Sequence, residues 1–309
     1  WRCDAVRSSS TNLTTFTTSS LGPMVRSGTP ELISNPDRKV VQDYLVAARP
    51  SGCSRLGDAL PEAATAIAAA AAMGSGIVGY AQAALVDRSY HVDCVADEEA
   101  TRGHLLTAVL AVLPQGGAVT WWGHEHTSDL AQAASLDMAP PFRRLLNMVR
   151  PLPCDVAAST DVVTRPFVPG SDDVSWLQVN NAAFSWHSEQ GDWTLDALRA
   201  RLSEQWFDRE GFLLHERDGR LAAFCWTKVH AAGVGEIFAI AVHPDFHGLG
   251  LGRALTVAGL RHLSDIGSTS AMLYVEADNL AAVRLYESLG FHTAHTDVAF
   301  YRPAAGDTP

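Results

Sequence analysis

Gly248, Gly250 and Gly252 stand at a spacing of two between an apolar strand pattern and an apolar helical run. A glycine loop that opens a helix presents backbone N–H groups, and the positive end of the helix dipole adds to their attraction for an anion. The segment Glu236–Arg253 therefore reads as a phosphate cradle, with Ile237–Val242 leading in and His243-Pro244 ending the strand. Glu236 opens that strand, and Tyr286 follows Asn279 by seven residues, two helical turns along one face. A carboxylate can take a proton from an amine, and a phenol can give one to a leaving group. Each also has a plainer reading: a strand-end Glu in solvent, and an aromatic ring packed with Val283 and Leu289.

The elements that must hold these groups can be traced through residues 160–303. Val162–Phe167 reads as a strand and Asp172–Phe184 as a helix, with Ser171-Asp172-Asp173 as cap and early negative charge. Thr194–Trp206 reads as a second helix. Phe212–Glu216 and Leu221–Val229 flank Arg217-Asp218-Gly219-Arg220, a hairpin signal because Asp-Gly accepts the turn's positive φ. Then follow strand 235–242, the glycine loop, helix 252–264, strand Ala271–Val275, helix Asn279–Leu289 and a final strand over 291–301. The pattern predicts a mixed α/β layer fold.

The first half of the chain resembles the second. Val95–Leu106 lies without gaps over Val242–Arg253, placing Gly103 on Gly250, and both run into an apolar helix. Upstream, Gly76–Ala81 resembles Gly219–Phe224; downstream, Ser135–Met138 resembles Ser288–Phe291, and the halves close on Arg150-Pro151 and Arg302-Pro303. A duplicated domain follows, with a linker at Pro151–Thr160, and domains expected at 24–153 and 160–303. Ala63–Ala72 favours helix by propensity, but the repeat assigns it to a strand. The first copy has Thr101 and Leu105 where the second has Gly248 and Gly252, and carries Asp97, Glu98 and Glu99 where phosphates would approach. Carried back through the alignment, Glu236 falls on Ser89 and, by the match of Ser288 to Ser135, Tyr286 near Ala133. The N-terminal copy is therefore expected to be degenerate.

The 309 residues suit about two domains. A net charge of -11 argues against a nucleic acid or an anionic membrane as partner. Five scattered cysteines without a CxxC pair fit a reducing cytoplasm better than a disulfide framework or a zinc site. The histidines show no metal spacing, so no metal is expected; neither is a membrane span or a stable oligomer. Residues 1–23 are rich in Ser and Thr and read as a disordered leader or an artefact of gene calling, with Met24 as the expected start; the alternative reading is a fragment of a longer chain. The Trp121-Trp122 pair is expected in a core or at a domain interface.

Strand, His-Pro, glycine loop, helix and strand, followed by Asn279–Phe291 with its Asn, Tyr and Leu-Gly-Phe, together resemble the Gcn5-related N-acetyltransferases (GNAT). The resemblance implies tandem GNAT-fold domains, each a mixed central sheet flanked by helices. It implies acetyl-CoA as co-substrate, with pantetheine on the backbone of Ile240, Ala241 and Val242. The pyrophosphate would lie on His247, Gly248, Leu249, Gly250, Leu251, Gly252 and Arg253, with Asn279, Ala282 and Arg284 completing the cofactor site. Where the family usually has Gln or Arg followed by Arg, this chain has His247, Gly248 and Leu249.

A narrower resemblance, to the mycothiol synthase family, rests on Val179–Phe184, Glu189–Thr194, Trp206–Asp208, Trp226–His230 and Leu273–Glu276. It implies acetylation of the cysteine amine of a cysteinyl-glucosaminyl-inositol by direct attack. Glu236 would be the general base, Tyr286 the general acid, and backbone N–H groups at Ile240–Val242 the oxyanion donors. It assigns Glu189, Lys228, Glu236 and Tyr274 to the acceptor. Another small amine or a peptide N-terminus as acceptor, or a non-catalytic module that binds CoA or a partner, are the alternatives.

Overall fold

The computed structural model describes residues 31–34, 66–73, 76–86, 89–114, 117–153, 162–186, 190–230 and 233–304. The chain divides into two compact units that do not follow its two halves. One gathers Leu145–His295; the other takes residues before Leu145 together with the chain from Thr296 onward.

The N-terminal unit is built on strands β1 (Glu31–Ser34), β2 (Ala66–Met73), β3 (Gly76–Val86), β4 (Ser89–Ala96) and β5 (Ala118–His124). Helices α1 (Glu99–Val112) and α2 (Thr127–Ser135) follow β4 and β5. Neighbouring strands run antiparallel except β4 and β5, which are parallel from Ser89↔Ala118 to Val92↔Trp121. The alanine run is β2, as the repeat predicts. Its ladders to β1 and β3 override the helical preference of alanine, since strand formation follows pairing more than intrinsic propensity. Trp121 is fully buried and stacks on Phe300 with ring centroids 5.1 Å apart, so it is a core residue of this unit. Phe300 belongs to the last strand of the chain, β12 (His292–Arg302), which pairs antiparallel with β5 from Asp297↔His124 to Arg302↔Val119.

The unit of residues 145–295 has the strand order β6-β11-β10-β9-β8-β7. These are β6 (Ala139–Pro151), β7 (Arg165–Pro166), β8 (Phe212–Arg217), β9 (Arg220–Val229), β10 (Val234–Val242) and β11 (Ser270–Glu276). Its helices are α3 (Asp173–Ala183), α4 (Leu195–Leu202), α5 (Leu251–Asp265) and α6 (Leu280–Ser288). Each half thus lends its final strand: β6, from the first, lies beside β11 from Ser270↔Pro151 to Glu276↔Leu145, and β12, from the second, lies beside β5. The contiguous boundaries expected from the repeat miss this, because a self-comparison aligns strands without saying which neighbour each one pairs with. Residues 154–160 of the expected linker lie outside the described residues.

One sheet face of this unit packs on α5 through Cys225, Ile237, Leu255, Leu260, Leu263, Leu273 and Val275. The other carries an aromatic cluster of Phe167, Trp176, Phe212, Phe224, Trp226 and Phe238. Gly259 lets α5 sit close to the sheet, since a Cβ there would meet Cys225 Sγ at 2.6 Å and Ile237 Cδ1 at 2.8 Å. Asp218 and Gly219 both adopt positive φ in the two-residue β8–β9 turn. Helix 194–206 of the sequence reading is corrected to 195–202. The Thr194 hydroxyl caps its start, and Trp206 and Phe207 leave the helix to join the aromatic cluster. The strand expected at 162–167 forms a ladder at Arg165 and Pro166, and the Phe167 N–H donates to the Phe212 carbonyl at 2.8 Å.

Candidate active site

β10 is the axis of the site. Toward β9 it is paired along its length, from Gly235↔Val229 to Val242↔Ala223, with an irregularity between Ile237 and Ala239. Toward β11 the parallel ladder covers only Val234–Glu236 against Ser270–Met272. Beyond Glu236 the two strands part, leaving that edge of Ile237–Val242 without a ladder. An open strand edge holds N–H and C=O groups ready for an extended ligand.

β10 runs through a 3-10 turn, Pro244–Phe246, into the glycine loop. The turn is held against β9 by Arg220, whose guanidinium donates to Asp245 at 2.8 Å and stacks over Phe246. Gly248 and Gly250 have φ of 78° and 74°, a left-handed backbone that other residues adopt only with strain. Gly250 is the N-cap of α5, and no side chain caps that end. The first-turn N–H groups are therefore open, and the first turn holds no acidic residue. A Cβ on Gly248 would meet nothing within 4 Å, so space is left above the loop. These features fit a diphosphate, the group that the resemblance assigns here.

The side chains expected to bind the cofactor are less uniform. Leu251 is buried in the core, so only its backbone faces the loop. Arg253 donates to Ser288 Oγ on α6 at 2.6 Å, while Arg284 is exposed. Asn279 caps α6, its Oδ1 accepting from Ala282 N at 3.2 Å, which fixes both residues at the helix start. His247 donates from Nε2 to the Val242 carbonyl at 3.1 Å and thereby ties the loop to the end of the strand. That bond occupies one of the backbone groups assigned to pantetheine.

The N-terminal copy has no such loop. Only Asp97 and Glu98 separate β4 from α1, whereas residues 243–250 separate β10 from α5. The gapless register that set Gly103 on Gly250 is thus corrected: Gly103 lies inside α1, and Gly250 caps α5. The glycine loop is an insertion relative to the first copy.

Glu236 is 3% exposed, and its Oε2 lies 2.6 Å from His230 Nε2. Across the hairpin it is directly opposite Lys228, which is also buried. The Lys228 ammonium sits over the Trp206 ring at 4.7 Å and the Phe238 ring at 5.7 Å, an arrangement that holds a cation by the ring quadrupole. Glu236 is also in register with Met272, two residues before Tyr274 on β11, so alternation puts Tyr274 on the same sheet face. The structure thus brings Lys228, Glu236 and Tyr274 to one face. Glu189 lies outside the described residues. His230 was not singled out for a role by sequence; its signal was its place at the end of β9, six residues before Glu236 in a hairpin.

Tyr286 packs elsewhere, in the cluster with Ile237, Leu255 and Phe291, and no hydrogen bond joins it to Glu236. Its ring meets Phe291 edge-on at 5.9 Å. Burial pushes the phenol well above its ordinary pKa, so it keeps its proton. Burial likewise pushes the Cys225 thiol up to about 12, which leaves it a packing residue without thiolate character.

Comparison with known proteins follows the same lines. Residues 178–291 match the model of the acetyltransferase (GNAT) family. The chain is 47% identical over 210 residues to a mycothiol acetyltransferase of Thermomonospora curvata, covering 65% of this chain and 70% of that protein. It is 46% identical over 244 residues to one of Streptomyces avermitilis, covering 74% and 77%. Among solved structures, a Gcn5-related N-acetyltransferase of Sphaerobacter thermophilus superposes with a TM-score of 0.64 at 21% identity, over 88% of this chain and 95% of that one. A tandem GNAT protein from the clavulanic acid biosynthesis pathway does so with 0.60 at 16% identity, over 91% and 100%. These two likenesses speak to the fold.

Proposed function

This chain belongs to the mycothiol acetyltransferases, acetyl-CoA-dependent enzymes of the GNAT family, and from that premise we propose that it acetylates the cysteine amine of a cysteinyl-glucosaminyl-inositol. The observation that carries the proposal is the pairing of an uncapped, glycine-entered helix with a buried carboxylate on the strand that feeds it.

Acetyl-CoA supplies an activated thioester when bound. Its pyrophosphate would be held by the N–H groups of residues 248–253, since the His247 N–H donates to the Pro244 carbonyl at 3.2 Å, with Arg284 exposed, and its pantetheine arm by the open edge of Ile240–Val242. Glu236 takes a proton from the acceptor ammonium so that the amine can attack. N–H groups of Ile240–Val242 stabilise the negative charge that develops on the carbonyl oxygen. Tyr286, which burial keeps protonated, is the group that gives its proton to the departing thiolate. Lys228 and Tyr274, with Glu189, hold the polar body of the acceptor. Transfer is direct, in keeping with a Cys225 thiol that stays protonated in the core. The degenerate copy, lacking a glycine loop, takes no part in the chemistry.

Purified protein incubated with acetyl-CoA and either cysteinyl-glucosaminyl-inositol or a panel of amines tests this reading. Rapid N-acetylation of the former is expected. Turnover confined to the amine panel would assign another acceptor, and CoA binding without turnover on any acceptor would overturn the enzymatic reading.

A further inference from the structure

We propose that His230 is a positioning residue for the base: it donates Nε2–H to Oε2 of Glu236 and leaves Oε1 to receive the proton from the acceptor amine. The inference rests on the reading of Glu236 as base and adds the group that sets which carboxylate oxygen acts.

The geometry carries it. The two atoms are 2.6 Å apart. An unprotonated imidazole nitrogen and a carboxylate oxygen are both acceptors and repel at that distance, so a proton lies between them. A donor–carboxylate bond this short is of the charge-assisted kind, stronger than a bond between neutral groups. Glu236 has lost nearly all its water, and a buried carboxylate needs replacement donors. His230 is one such donor; among the described residues no other hydrogen bond reaches the Glu236 carboxylate, so Oε1 stays open.

His230 is itself held in place. Its N–H donates to the Val234 carbonyl at 2.8 Å, and its carbonyl accepts from Gly233 N at 3.2 Å, closing the β9–β10 hairpin on both sides of the ring. The hairpin register fixes Lys228 opposite Glu236, so the histidine two residues on meets the carboxylate from the turn side. A carboxylate pinned through one oxygen loses torsional freedom, and its second oxygen is oriented before the substrate arrives. On the Lys228 side the ammonium sits over the Trp206 and Phe238 rings, and the hydrogen bond to the carboxylate comes from the histidine.

Steady-state kinetics on full-length His230→Leu and His230→Gln test this. Leucine removes the donor; glutamine keeps an amide N–H at a similar reach but cannot titrate. His230→Leu is expected to lower kcat roughly tenfold or more, as loss of an orienting partner does, while the KM for acetyl-CoA stays within about twofold. His230→Gln is expected to recover most of the lost rate. In a Glu236→Gln background, His230→Leu should cost little further, because the bond it removes serves only the carboxylate. Full losses that simply multiply in the double variant would overturn the inference, as would a His230→Leu kcat equal to wild type. Equal losses in the Leu and Gln variants would also overturn it, since donation would then not be the histidine's role. If Glu236→Gln alone keeps the wild-type rate, the base assignment itself fails, a result separable from every outcome above.

Discussion

The proposed mechanism has Glu236 remove a proton and Tyr286 return one, and the two side chains have different surroundings. Glu236 sits against polar partners, His230 at 2.6 Å and Lys228 across the ladder. Tyr286 sits in an aliphatic and aromatic cluster whose desolvation raises its pKa. Tyr286→Phe should therefore lower kcat by about 10–10² while leaving the KM of both substrates nearly unchanged, a split that initial-rate kinetics reads directly. An unchanged kcat would return Tyr286 to a packing role. The sign of its shift also predicts that kcat will not fall through loss of the Tyr286 proton as pH rises to about 10, the ordinary phenol value. Position and motif in the sequence marked Glu236 and Tyr286 as candidates. They could not expose the His230 bond, which exists only once the hairpin register is set.

At the scale of elements, the glycine loop and α5 act as one device: two left-handed glycines turn the chain so that uncapped N–H groups face one way. Gly250→Ala would force a Cβ into that backbone at a cost of roughly 1–2 kcal/mol. It should raise the KM for acetyl-CoA several-fold, with the acceptor KM little changed; equal effects on both substrates would contradict the assignment. A second device supports the aromatic face. Arg165 donates to both oxygens of Asp172 at 2.7 and 2.8 Å, and Asp172 also accepts from Val168 N at the entry to α3. The Arg165 guanidinium holds the Asp172 carboxyl below the usual carboxylate range. A depressed folded pKa gives stability that is present above the unfolded value near 4 and lost as pH falls through the folded one. Asp172→Asn should thus flatten part of the acid-induced loss seen in denaturant titrations below about pH 4. An identical acid slope in both proteins would exclude the pair as its source. Strands and helices were legible where pattern and cap agreed, as at Thr194 and Asp218-Gly219. The end of α4 was not, because tertiary packing draws Trp206 and Phe207 out of a helical pattern.

For the whole molecule, the duplication was legible in the sequence and the exchange of final strands was not. Repeats report similarity, whereas pairing partners depend on which edge a strand meets. The exchange has a direct consequence for the site. Residues 145–151, from the first repeat, give β11 its antiparallel neighbour, put Met148 in the core with Tyr286, and bring the Arg150 guanidinium to the Leu289 carbonyl behind α6. A chain beginning at residue 160 lacks all three and should not fold to an active domain, as circular dichroism and acetyl-CoA binding would reveal; a folded, active truncation would refute the dependence. The absence of a glycine loop between β4 and α1 likewise supports the proposal that the chemistry belongs to the unit of residues 145–295. The most direct measurement is kcat/KM for cysteinyl-glucosaminyl-inositol with saturating acetyl-CoA, in wild type and Glu236→Gln. The account predicts N-acetylated product in wild type and a loss of roughly 10² or more in the variant. Comparable values for the two proteins would contradict it.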